Sequence, residues 1–151
     1  MNAVHWHLAL NHLPVVGSIF AILLLGWAVY RRSDELLRTA LGGIALVTVA
    51  CFPAYFTGEP AEESVRQLPG VSRDVVKAHE EAAEKAFTVL FVVGVGAVGM
   101  LVWMRRQPIP RWVGVGLLVG LLGAAGLLGW AANLGGKIRH PEIWEAGERP
   151  K

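Results

Sequence analysis

Histidine is the residue type through which this chain could do chemistry, and its distribution is uneven. Of five histidines, His5, His7 and His12 fall within the opening HWHLALNHLP, while His79 and His140 stand alone much further along. Neutral imidazole binds zinc, copper, iron and haem iron. Histidines brought to one level by the fold would therefore make a metal or haem site. Cys51 is the only cysteine, so there is neither a disulfide framework nor a Cys-x-x-Cys-His site for covalent haem. Its apolar setting makes it a small core residue. There is no HExxH pattern, no nucleophile motif and no paired-carboxylate arrangement, which argues against an independent hydrolase.

Composition says what must position these side chains. The chain has 151 residues, 54% of them hydrophobic and only 17% charged, with a mean hydropathy of +0.46. Ordinary soluble domains carry about 25% charged residues. A net charge of +2, with no basic cluster interleaved with aromatics, excludes a nucleic-acid partner. Four apolar segments are expected to span a bilayer, at about residues 13–31, 36–56, 84–104 and 112–134. Each is near the roughly 20 residues that a hydrocarbon core requires. Pro14 suits a first helical turn, Gly58 suits a helix C-cap, and Pro53 is expected to kink the end of its helix.

The fold class that follows is an all-α membrane protein, a single domain of four transmembrane helices in an up-down-up-down bundle. Ser72 reads as an N-cap. The helix-forming run from Arg73 to Lys85 predicts a third helix extended beyond the outer face, after a loop over 57–83 that holds one short helix. The polar tail, 135–151, is expected to lie along the outer surface, anchored by Ile143 and Trp144. No basic region precedes the first apolar run, so no cleavable signal peptide is expected. Arg31, Arg32 and Arg38 flank one short connection and Arg105, Arg106 and Arg111 the other. The positive-inside rule assigns both to the cytoplasm of a bacterial inner membrane, with both termini outside. Glycines from Gly94 to Gly99 and from Gly114 to Gly129 read as close helix contacts, or as room for a flat cofactor.

Helical rise then gives each histidine a height. His12 lies ~28 Å from Arg31 along its helix and His79 ~39 Å from Arg105. His7 is a further ~7 Å out, and His140 follows the fourth span on the same side. All five therefore fall on the outer side. By helical angle, His79 shares an apolar stripe with Val75, Ala82, Ala86 and Leu90, away from Asp74, Lys77, Glu80, Glu81, Glu84 and Lys85. His7 and His12, about 140° apart, are expected to face different sites. On these grounds His12 and His79 are the leading candidates, and His5 is a bystander. Zinc wants three or four close ligands, whereas haem needs two axial histidines on facing helices and an apolar slot.

His7-Leu-Ala-Leu-Asn-His12-Leu-Pro14, Thr57-Gly58, His79-Glu80 and Leu134-Gly-Gly-Lys-Ile-Arg-His140 together resemble a bacterial family of small four-helix membrane proteins akin to b-type cytochromes. The resemblance spans nearly the whole chain. It implies a redox membrane subunit holding one or two haem b groups through His7, His12, His79 and His140, with other membrane or periplasmic redox subunits, and quinone, as partners. A copper or zinc site on the same histidines, and a structural subunit without cofactor, are the alternative readings.

Overall fold

Every apolar run becomes helix. The computed structural model describes residues 2–140. Six helices follow one another: α1 (Ala3–Leu10), α2 (His12–Arg31), α3 (Asp34–Phe56), α4 (Gly58–Arg66), α5 (Arg73–Trp103) and α6 (Arg111–Arg139). No strand occurs among the described residues. Four stretches are long and apolar enough to cross a membrane: Ala3–Arg31, Asp34–Arg66, Arg73–Trp103 and Arg111–Ile138. The anchors expected at Ile143 and Trp144 lie outside the described residues.

The four long helices form a ring of contacts, α2 on α3, α3 on α5, α5 on α6 and α6 on α2. Their inward residues recur at alternating spacings of three and four: Ser18, Ala21, Leu25 and Ala28 in α2; Leu37, Leu41, Ile44, Thr48 and Cys51 in α3; Ala86, Leu90, Val93 and Ala97 in α5; Leu121, Ala124, Leu128 and Ala131 in α6. That period keeps one narrow seam of each helix turned to its neighbours, as in left-handed bundle packing. Leu23, Leu46, Val49, Val92, Val102 and Val119 point outward and are exposed. An apolar outer surface is what a bilayer-embedded helix needs, because lipid is the solvent there.

Small residues set the closest crossings. Thr48 lies against Gly94 of α5, where a methyl group would come within 2.7 Å of Thr48 Cγ2. The hydroxyl of Thr48 donates to Ile44 O on its own helix at 2.9 Å, which satisfies it in the core.

At one end of the bundle the two tight connections are tied to each other. Arg32 closes α2 in the left-handed region (φ 54°, ψ 34°), and the Ser33 hydroxyl caps α3 by accepting from Leu36 N–H. Asp34 and Glu35 then fill the first turn, where the helix dipole favours carboxylates. Asp34 Oδ1 accepts from Ile109 N–H at 2.7 Å, and its Oδ2 takes Arg38 Nε at 2.7 Å. Arg38 also donates to Met104 O at 2.8 Å and Gln107 O at 2.7 Å. Arg38 is therefore a clasp between the two connections.

Two boundaries differ from expectation. Gly58 is not a left-handed C-cap: it opens α4, and Gly70 is the glycine with positive φ. The Thr57 hydroxyl instead donates to Pro53 O and Ala54 O. α6 does not end at Gly135-Gly136 but continues to Arg139. Glycine in a helix costs about 1 kcal/mol relative to alanine, and at Gly135 the missing side chain is what lets α5 approach. Within 57–83, α4 and the start of α5 at Arg73 are the short helix and the helical run expected there.

Candidate functional site: a histidine pair between facing helices

α1 and α2 are nearly continuous. Asn11 between them keeps right-handed helical angles (φ −64°, ψ −22°). Pro14 offers no N–H to the Leu10 carbonyl, which explains why the hydrogen-bonded ladder lapses there. α1 carries no fully buried residue and packs on α3 and α4. It turns His7 toward the end of α3, where Nδ1 lies 3.0 Å from Ala54 O and 3.4 Å from Thr57 Oγ1. A carbonyl can only accept, so Nδ1 carries the proton and Nε2 is left as the basic nitrogen.

His79 repeats the arrangement from the other side. Its Nδ1 donates to Ala131 O of α6 at 2.8 Å. The ring lies over Gly135, where a methyl group would sit 3.1 Å from Cε1 and 3.3 Å from Nδ1. His7 in turn lies beside Gly58, with 3.6 Å from its Cε1 to where a methyl would be. The two rings face each other at a centroid separation of 6.3 Å and an interplanar angle of 83°. Both are half-buried, and among the described residues no hydrogen bond reaches Nε2 of either.

α4 closes over this end by packing on α1, α3 and α5. Arg66 bridges Glu62 on its own helix (3.4 Å) and Glu80 of α5 (3.2 Å), the residue next to His79. Beneath His7, one helical turn further in, Asn11 Oδ1 is buried without a hydrogen-bond partner. The spacing of four puts Asn11 on the same helical face as His7. A buried, unpaired amide oxygen costs about 1–3 kcal/mol and calls for a donor.

The histidines expected to share a site are divided by the fold. His7 and His79 are brought together. His12 is not: it is exposed, and its Nδ1 donates back to Leu8 O at 3.1 Å on the same helix. The angle of about 140° between His7 and His12 turns one inward and the other outward. His5 is exposed and bonds to Asn2 at the start of α1. His140 is exposed and follows α6, its N–H donating to Gly136 O at 3.1 Å.

The residues that sequence reasoning did not single out are mainly backbone: the carbonyls of Ala54 and Ala131. Asn11 was legible in principle, as the polar residue four positions after His7 at the head of an apolar run. Among the described residues no group of three or more histidine, cysteine or carboxylate side chains converges. The site therefore consists of two imidazoles on facing helices, each with its tautomer set by a helix carbonyl and its ring seated beside glycine. No family model matches this chain, and neither a curated protein nor a solved structure matches it.

Proposed function

We propose that this protein is an integral membrane electron-transfer subunit that binds haem b through His7 and His79, akin to the b-type cytochrome family its motifs resemble. The observation that carries the reading is the facing pair itself. With centroids 6.3 Å apart, the two imidazoles are near enough to serve one shared group through ring nitrogens that are not hydrogen-bonded. Hydrogen-bonding Nδ1 to a backbone carbonyl is the usual way a ligating histidine is oriented and made more basic.

Gly58 and Gly135 carry no side chain, so the two imidazoles seat directly against α4 and α6. Haem, when bound, supplies reversible one-electron exchange. Ala54 O and Ala131 O hold the two imidazoles in register, α4 limits access of water from its end, and Arg66 ties that cover to α5. Two ligands satisfy haem, whereas zinc ordinarily takes three or four, so the pair favours haem over the copper or zinc alternative.

In this reading the four long helices run up-down-up-down, with the arginine-rich connections in the cytoplasm of a bacterial inner membrane and both termini outside. α5, with 31 residues, is ~46 Å long against a bilayer core of ~30 Å, and the excess carries His79 to the outer face. Quinone and other respiratory subunits are the partners such a protein would exchange electrons with.

The test is the reduced-minus-oxidised absorption spectrum of protein purified from a haem-sufficient host. Bands of a low-spin b-type haem at one per chain are expected. Protein that carries no haem under those conditions overturns the proposal. Stoichiometric copper or zinc without porphyrin promotes the non-haem alternative.

A further inference from the structure

The opposite end of the bundle holds a cleft that the histidine site does not use. Its volume is about 500 Å³, and it opens between the α2–α3 connection and the start of α6. The floor is apolar, made by Ala28, Val29, Leu37 and Ile109. Arg32 and Arg111 stand at its rim, and neither has a hydrogen-bond or ion-pair partner among the described residues. The carboxylate in the lining, Asp34, is already committed, one oxygen to Arg38 and the other to Ile109 N–H. The positive charge of the two rim arginines is therefore uncompensated.

One further feature points the same way. α6 opens at Arg111 with no side-chain cap on its N-terminal N–H groups, so the positive end of its dipole adds to the arginine charge. Guanidinium forks match phosphate oxygens bidentately. An apolar floor under a doubly cationic rim is complementary to a molecule with a phosphate head and a hydrocarbon tail.

We propose that this cleft binds an anionic glycerophospholipid, with its phosphate held by Arg32 and Arg111 and the first part of an acyl chain laid against Ala28, Val29, Leu37 and Ile109. A free phosphate shares the head chemistry but makes no use of the floor. Basic pockets between transmembrane helices are known to take phospholipid headgroups in this way.

The test uses delipidated full-length protein in neutral detergent, titrated with phosphatidylglycerol, phosphatidylcholine or inorganic phosphate. Lipid binding is followed by native mass spectrometry and by the thermal-unfolding midpoint. Phosphatidylglycerol is expected to bind at one per chain and raise the midpoint, and inorganic phosphate at the same concentration to leave it unchanged. R32N/R111Q is expected to weaken phosphatidylglycerol at least tenfold; asparagine tolerates the left-handed backbone at position 32. R105Q/R106Q removes two charges from the same end outside the cleft and is expected to bind as wild type. R32K/R111K keeps the charge but not the fork, and a several-fold loss is expected, which reads the site if R32N/R111Q does not fold. Equal loss in R105Q/R106Q, unchanged binding in R32K/R111K, phosphatidylcholine binding as tightly, or an equal shift with inorganic phosphate each overturns the proposal.

Discussion

The imidazoles of His7 and His79 stand 6.3 Å apart and nearly perpendicular, although 71 residues separate them in the chain. Each is anchored by a different helix, His7 by α3 and His79 by α6. The pair thus draws α1, α3, α5 and α6 to one point. If it holds haem, His7→Ala and His79→Ala are each expected to reduce retained haem at least tenfold. His12→Ala and His5→Ala are expected to retain it, because both rings are exposed and bonded within their own helix. The measurement is haem per protein by pyridine haemochromogen, and loss in His12→Ala with retention in His7→Ala would reverse the assignment.

Gly135→Ala and Gly58→Ala separate support of the rings from ordinary packing. A methyl at position 135 meets His79 Cε1 at 3.1 Å, tighter than normal contact, whereas at position 58 it meets His7 at 3.6 Å, an ordinary distance. Displacing a ligand by a few tenths of an ångström is expected to lower haem occupancy several-fold in Gly135→Ala and leave Gly58→Ala near wild type. The haem-to-protein ratio and the reduction midpoint of the two variants check this.

Glycines of the spans differ in what they do. Gly94→Ala drives a methyl into Thr48 at the α3–α5 crossing, and overpacking of that kind costs about 1–3 kcal/mol. Gly123 has nothing near it, so Gly123→Ala should be neutral or stabilising by up to about 1 kcal/mol through helix propensity. Reversible unfolding in mixed detergent micelles measures both, and equal destabilisation of the two would be inconsistent with the crossing as described.

Arg38→Ala and Arg66→Ala compare two ion pairs of different burial. Arg38 is only 28% exposed and serves Asp34, Met104 O and Gln107 O together. Its loss strands acceptors at the connection and is expected to cost about 1–3 kcal/mol. Arg66 is 45% exposed, and surface pairs of that kind contribute about 0–1 kcal/mol. Thermal midpoints of the two variants should rank in that order.

Much of the fold is legible in the residues. Leu37, Leu41, Ile44, Thr48 and Cys51 repeat at spacings of four and three, and helix formation with one inward seam follows from that period alone. The stretches at Arg31-Arg32 and Arg105-Arg106 close helices where hydrophobicity ends. The short helix expected within 57–83 is α4. Boundaries marked by glycine misled, since Gly58 and Gly135 read as stops but serve as seats for His7 and His79. A glycine's role depends on which neighbour approaches it, and that neighbour lies elsewhere in the chain.

By itself the sequence determined the number of apolar helices and the arginine-bearing ends. These follow from local hydrophobicity. Which histidine turns inward was decided only by the tertiary structure. His7 and His12 differ by about 140° on one helical path, and either could have met His79. α1 packs on α3 and α4, so His7 finds the Ala54 carbonyl while His12 turns back to Leu8. Helical angle is written in the chain, but the identity of the facing helix is not, because it depends on how four seams close on one another.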